Sequence, residues 1–253
     1  MKGVILAGGL GTRLSPLTLV TNKHLLPVYD RPMIYYPIEC LVNAGIGDIL
    51  IVTGGEHAGD FLKLLKNGKQ LGVHHLEYAY QEGEGGIADA LKLADEFADG
   101  EKTCVILGDN IIQGNIRKAA GKFITQSSGA KVMLKQVENP QRFGVARIED
   151  DRIVEIIEKP VDPPSNFVVI GIYFYDAAVF DVCRRLKPGE RGELEITDVN
   201  NHYLAAGNLT YEILDGWWTD AGTYESLHHS SCLVAGDGAN QLQLPDAMSL
   251  ASQ

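Results

Sequence analysis

Nowhere in its 253 residues does the chain hold an apolar run near the roughly 20 residues that a membrane-spanning helix requires, nor a basic start leading into a signal-type apolar stretch. A cytoplasmic location is the default expectation. Cysteine is sparse: Cys40, Cys104, Cys183 and Cys232 lie far apart, with neither the paired spacing of a zinc site nor the density of a small secreted scaffold. Reduced, mostly packed thiols follow. The histidines form no His-Glu-x-x-His pattern, and the adjacent His228 and His229 would point in different directions on a helix. Lysine and arginine together number 22 against 33 acidic residues, and the resulting formal charge of -11 argues against a general nucleic-acid binder. Any anionic ligand must be held by local cations.

What remains suits a sizeable soluble fold. Apolar residues make up 45% of the chain, enough to fill the core of one large α/β domain or of a domain with a subdomain. In the first half, short strand-like runs at 4–6, 49–53, 75–79 and 104–107 alternate with helical patterns. Ile87, Leu91, Ala94 and Ala98 recur at helical spacing, and Phe61, Leu62 and Leu65 form a shorter apolar face. This rhythm predicts parallel strands with crossover helices on both faces. Residues 33–44 read as a helix in which Pro37 marks the first turn or a kink. Past Gly129, strand-like runs at 131–137, 145–147, 153–157 and 167–175 suggest additional mixed strands, with later helices at 196–206 and 224–234. Residues 235–253 become small and polar, and read as a loosely ordered tail. There is no internal repeat and no clear linker.

The densest signal lies at the start, where the strand Gly3-Val4-Ile5-Leu6 runs into Ala7-Gly8-Gly9-Leu10-Gly11-Thr12-Arg13-Leu14, followed by Lys23-His24-Leu25-Leu26-Pro27. Three glycines allow backbone N–H groups to converge on an anion, and Arg13 and Lys23 add full charges. A nucleoside triphosphate is the implied ligand. The P-loop reading fails because Gly11 is followed by Thr12-Arg13 rather than Lys-Ser or Lys-Thr. A dinucleotide fingerprint needs glycine where Leu14 stands and a helix at once, whereas Pro16 and its polar neighbours favour an extended loop.

Candidate loops follow each of the first four predicted strands, where ligands bind in open parallel sheets. Asp109 emerges from Val105-Ile106-Leu107-Gly108 as an oxygen ligand for a triphosphate-bound metal, for which magnesium is the expected ion. Asp220, in Trp217-Trp218-Thr219-Asp220-Ala221-Gly222, reads either as the second ligand or as a cap of the following helix. Glu158 and Lys159 suit a surface ion pair or recognition of a phosphorylated sugar. Gln81 is a solvated loop residue or an amide for the edge of a pyrimidine base.

These residues resemble the sugar-1-phosphate nucleotidyltransferases, and within them the short-form glucose-1-phosphate thymidylyltransferases. The similarity runs from Met1 to about Val234. Beyond the first loop and Lys23-His24-Leu25-Leu26-Pro27, it rests on Arg31-Pro32-Met33-Ile34-Tyr35-Tyr36-Pro37, Leu107-Gly108-Asp109-Asn110, Arg142-Phe143-Gly144-Val145, Glu158-Lys159-Pro160 and Arg191-Gly192-Glu193-Leu194-Glu195-Ile196-Thr197-Asp198.

The resemblance implies an α/β, Rossmann-like, mixed and mainly parallel sheet with helices on both faces and a smaller sugar-binding region. It divides a single domain over 1–234 into a mainly nucleotide-binding part, 1–128, and a mainly sugar-phosphate part, 129–234. Gly8, Gly11, Thr12 and Arg13 resemble the triphosphate loop, Lys23 a second phosphate cation, and Gln81 and Gly86 the base-recognition positions. Asp109 and Asp220 resemble a magnesium pair, while Gly144, Glu158, Lys159, Val169 and Tyr173 match positions around the sugar phosphate, with Asp109 beside them. Arg13, Lys23, Asp109 and Lys159 are the implied catalytic set. The implied reaction joins dTTP to glucose 1-phosphate with release of pyrophosphate, in a homo-oligomer that binds neither nucleic acid nor membrane. UTP or CTP with another sugar phosphate, or a catalytically silent nucleotide-sugar-binding regulator, are the alternatives. His24 stands where many family members carry glutamine. The chain also stops before the C-terminal helices that help form a regulatory nucleotide site in longer relatives.

Overall fold

The computed structural model describes residues 1–189 and 192–242. In chain order the elements are β1 (Lys2–Ala7), β2 (Pro27–Val28), β3 (Arg31–Pro32), α1 (Tyr35–Asn43), β4 (Asp48–Gly54), α2 (Ala58–Leu65), β5 (His75–Gln81), α3 (Ile87–Lys92), α4 (Asp95–Ala98) and β6 (Thr103–Leu107). There follow β7 (Asn110–Ile112), α5 (Arg117–Thr125), β8 (Ala130–Gln136), β9 (Gly144–Glu149), β10 (Arg152–Glu158), β11 (Phe167–Tyr175), α6 (Val179–Arg185), α7 (Ile196–Ala205), β12 (Leu209–Ile213), β13 (Trp218–Asp220) and α8 (Tyr224–Asp237).

Nine strands form the main sheet in the order β10-β9-β11-β6-β1-β4-β5, with β8 on β11 and β12 on β8. β1 lies parallel between β4 and β6, and β5 extends the parallel set. β11 runs antiparallel to β6, which turns a parallel sheet into a mixed one. Because side chains alternate across a strand, β1 sends Val4 and Leu6 into one apolar layer and Ile5 and Ala7 into the other. The first layer is closed by α3, α4, α6 and α7, through residues such as Leu91, Phe97, Phe180 and Val199. The second is closed by α1, α2 and α5, through Ile38, Phe61 and Phe123. Helices therefore cover both faces, as the alternating pattern predicts. Cys40, Cys104 and Cys183 are buried and Cys232 is exposed, all as free thiols.

Several elements differ from the sequence reading. The helical run through residues 87–98 is two short helices, because Leu93 and Ala94 turn on tighter i to i−3 bonds to Ala90 and Leu91. Pro37 is the third residue of α1, inside the first turn, where its missing N–H leaves no helical bond unmade. Asp220 is not a helix cap: Thr223 caps α8, in a reciprocal capping box with Ser226. α8 also continues past Val234 to Asp237, and Asn240 is buried, donating to the Tyr36 carbonyl at 2.9 Å. The residues expected to open a tail, from 235 on, are instead helix to Asp237, and 243–253 lie outside the described residues, as does Arg191 of the recognised motif. Among the described residues, no helix is long and apolar enough to cross a membrane.

Candidate active site

The glycine loop leaves β1 and folds back at once. Gly11 adopts φ 67° and ψ 34°, a left-handed conformation that suits glycine, and any Cβ there would stand 2.9 Å from both Lys23 Cβ and Thr18 Cγ2. Its carbonyl accepts from Leu14 N at 2.8 Å and from Thr18 Oγ1 at 3.1 Å. Leu14 is fully buried, which fixes the short turn that carries Thr12 and Arg13. Gly8, Thr12 and Arg13 line a cleft of about 650 Å³ that runs along the sheet rim; Gly11 does not. The part of Gly11 is to shape the turn from behind.

Charged groups meet on the wall of this cleft. Lys23 Nζ lies 2.6 Å from Asp109 Oδ2. β13 pairs with β7 in a register that sets Asp220 opposite Asn110, and Ala221 N donates to the Asp109 carbonyl at 2.9 Å. A Cβ on Gly222 would stand 3.2 Å from Arg13 Nη2, 3.6 Å from Asp109 Oδ2 and 3.7 Å from Asp220 Oδ2. Glycine therefore keeps open the gap on which the three charged side chains converge.

The two carboxyls titrate in opposite directions. Burial alone would raise Asp109, but the Lys23 ammonium and the hydrogen bonds from Lys23 and Asn110 outweigh it and hold the carboxyl well below the usual range. Asp220 is pushed up to about 6 by burial and then by the charge of Asp109, against the pull of Arg142, Arg13 and Lys23. Arg142 Nη2 is 3.9 Å from Asp220 Oδ2. Two converging carboxylates, one raised by the charge of the other, suit a divalent cation, which removes that repulsion. Among the described residues no group of three or more His, Cys, Asp or Glu side chains could hold a metal, so a full protein cage is absent. Magnesium fits such a pair, since it keeps waters and takes phosphate oxygens alongside one or two carboxylates.

His24 lines the cleft but is only 2% exposed, with Nδ1 2.8 Å from Asn22 Oδ1. Burial, aided by the Lys23 charge, pushes its imidazole down to about 3, so it is neutral at ordinary pH.

Elsewhere on the cleft wall, β9 and β10 pair so that Gly144 faces Glu158. Thr197 Oγ1 donates to Glu158 Oε2 at 2.6 Å, and Lys159 Nζ lies 3.2 Å from Glu158 Oε1. Val169 pairs with Gly144, and Tyr173 is buried beyond the register shift that separates it from Val169 in β11. All five predicted sugar-side residues line the cleft. Gln81 and Gly86 line it as well, and Gln81 Nε2 donates to the Gly86 carbonyl at 3.2 Å and to Asp89 Oδ2 at 3.0 Å.

Sequence reading gave no role to three further wall residues. Asn110 donates to Asp109 Oδ1 at 3.0 Å and accepts from Trp218 Nε1 at 2.7 Å and Gly171 N at 2.9 Å, tying the acidic centre to β11. Arg142 approaches Asp220, and Thr197 holds Glu158. Each sits inside a recognised motif, which is the only local signal; apart from Asp109, their partners lie far away in sequence.

Comparison with known proteins places this cleft in context. The family model described as "Nucleotidyl transferase" matches residues 2–236. A glucose-1-phosphate thymidylyltransferase of Neisseria meningitidis serogroup A is 46% identical over 238 residues, covering 92% of this chain and 82% of that protein. One from Xanthomonas campestris pv. campestris is 45% identical over 237 residues, covering 92% and 80%. Among solved structures, a Bacillus anthracis chain described as a glucose-1-phosphate thymidylyltransferase in complex with a sucrose superposes with a TM-score of 0.89 at 51% identity, covering 93% of this chain and 96% of that one. A UDP-glucose pyrophosphorylase complexed with UDP-glucose gives a TM-score of 0.82 at 25% identity, over 92% and 98%.

Proposed function

The chain belongs to the nucleotidyl transferase family, and on that footing we propose that it joins dTTP to glucose 1-phosphate, releasing pyrophosphate and dTDP-glucose. The observation that carries this reading is the one cleft that Arg13, Lys23, Asp109 and Asp220 line together with Glu158, Lys159 and Tyr173. Such a site suits two phosphorylated molecules that repel one another. Three of the four similar proteins quoted above carry the thymidylyltransferase name, which supports the choice of substrates.

The chemistry is a single in-line displacement. A phosphate oxygen of glucose 1-phosphate bonds to the α-phosphorus of dTTP as the bond from that phosphorus to the bridging oxygen breaks, and the electron pair leaves with pyrophosphate. The nucleophile is already anionic near neutral pH, so no general base is required. Positioning and charge neutralisation supply the rate. Lys159 holds the attacking phosphate; its backbone N donates to the Phe143 carbonyl at 3.0 Å, which fixes the turn out of β10. Arg13 stabilises the charge that develops on pyrophosphate, and Lys23 provides a second cation beside it. Asp109 and Asp220 would hold magnesium, which when bound neutralises triphosphate charge.

Residues 1–128 serve mainly the nucleotide and 129–234 mainly the sugar phosphate. Both amide hydrogens of Gln81 are engaged by Gly86 and Asp89, which leaves its carbonyl oxygen to accept the N3–H of a thymine. Uracil carries the same N3–H, and a UDP-glucose pyrophosphorylase is among the structural neighbours, so UTP is the second reading. A pyrophosphate-release screen crossing dTTP, UTP, CTP and ATP with glucose, galactose and mannose 1-phosphates tests the assignment. The expected maximum is dTTP with glucose 1-phosphate. Tight nucleotide binding without release from any pair would overturn it in favour of a silent regulator.

A further inference from the structure

Asn200, on α7, carries a buried donor that the protein leaves unpaired at the cleft wall. The residue is 1% exposed, its Oδ1 accepts from Tyr175 Oη at 2.7 Å, and its Nδ2 has no hydrogen-bond partner. Turning the amide over relocates the problem, since Nδ2 would then meet Tyr175 and Oδ1 would stand alone. Buried amides are nearly always satisfied, so an orphan calls for a reason. Among the described residues, the other buried side-chain atoms without partners belong to Thr53, Thr103, Trp217 and Asn240, none of which lines the cleft. Asn200 does.

Its position assigns it to the sugar side. Asn200 lies one helical turn beyond Ile196 and Thr197, which also line the cleft, and Thr197 donates to Glu158. Its partner Tyr175 stacks on Tyr173, with ring centroids 6.0 Å apart and planes at 14°. Tyr175, Tyr173, Ile196 and Thr197 are uncharged, which suits a neutral hydroxyl better than a phosphate oxygen.

We propose that Asn200 is a specificity-determining residue whose free amide hydrogen bonds to one hydroxyl of the sugar, directly or through one trapped water. The inference rests on the sugar-phosphate reading of the cleft and adds to it the group that checks for that hydroxyl. A sugar lacking the hydroxyl leaves the amide unpaired in the complex, and sites built this way discriminate strongly.

The test is a cycle of enzyme variant against substrate variant. Values of kcat/KM are measured for wild type and Asn200→Ala with dTTP and glucose 1-phosphate or its 2-, 3-, 4- and 6-deoxy analogues, with circular dichroism to verify folding. One analogue should be about tenfold poorer on wild type, the worth of one neutral hydrogen bond. In Asn200→Ala, glucose 1-phosphate should fall by about the same factor and that analogue should fall no further, while the others keep their wild-type ratios. Where Asn200→Ala fails to fold, the paired change Asn200→Leu with Tyr175→Phe, which strands no hydroxyl, gives the same readout. A crystal structure of the wild-type complex with glucose 1-phosphate should place an oxygen within hydrogen-bond distance of Nδ2. Equal ratios for every analogue in wild type and variant, or no oxygen beside Nδ2, would overturn the proposal alone. A wild-type enzyme inactive on glucose 1-phosphate itself would overturn the substrate reading and the inference with it.

Discussion

Lys23 Nζ sits 2.6 Å from Asp109 Oδ2, the same carboxylate oxygen that stands 3.6 Å from the Cβ position of Gly222 and so faces the gap shared with Arg13 and Asp220. Both partners are only 13% exposed. Beyond the phosphate contact proposed for it, the lysine neutralises a carboxylate that burial would otherwise protonate.

Removing that ammonium should strand the charge. Lys23→Met should destabilise the fold by about 3 kcal/mol, the lower end for breaking a buried pair because this one borders an open cleft. Magnesium should restore part of the loss by taking over the neutralisation. Urea denaturation with and without millimolar magnesium measures both; equal loss in the two conditions would separate Asp109 from metal binding.

In the proposed displacement, Arg13 meets charge that exists fully only as pyrophosphate departs. Arg13→Ala should lower kcat by about 10²–10³-fold, as for other lost electrostatic donors, with little change in KM for glucose 1-phosphate. Steady-state kinetics at saturating dTTP decides, and a variant altered mainly in KM for the sugar would move Arg13 out of this role.

Glu158 should behave in the opposite way. Its Oε2 is held by Thr197 and its Oε1 lies beside Lys159, so the carboxylate is fixed before any sugar arrives. Glu158→Ala should raise KM for glucose 1-phosphate about 10–100-fold, the worth of a hydrogen bond to a charged group, and change kcat less.

His24 makes the fold acid-sensitive. Its pKa is about 3 when folded against 6.5 when unfolded, so the unfolded chain takes up a proton first as pH falls. Stability from this site is complete above pH 6.5, declines as pH drops and is gone below about 3. Between pH 7 and pH 5 the loss should be about 2 kcal/mol, and His24→Gln should abolish that part of the pH dependence. Urea midpoints of both proteins at the two pH values give the answer.

The glycine turn at the cleft was legible in the sequence because its parts are local: strand, glycines and Arg13 fall within fourteen residues. The alternating apolar runs likewise foretold helices on both faces. The meeting of Asp220 with Asp109 was legible only as what the resemblance implied, since the residues themselves left Asp220 open as a helix cap. It depends on β7 and β13, strands of three residues each, too short for periodicity to register and more than a hundred residues apart. The hub at Asn110 and the unpaired amide of Asn200 are invisible for a related reason, since each is defined by partners on other elements.

Direct transfer between two substrates in one cleft has a stereochemical signature. dTTP bearing a single sulfur of known configuration at the α-phosphorus, reacted with glucose 1-phosphate, should yield dTDP-glucose with that phosphorus inverted, as ³¹P spectroscopy would read. Retention would require two displacements through an enzyme-bound nucleotide and would contradict the account.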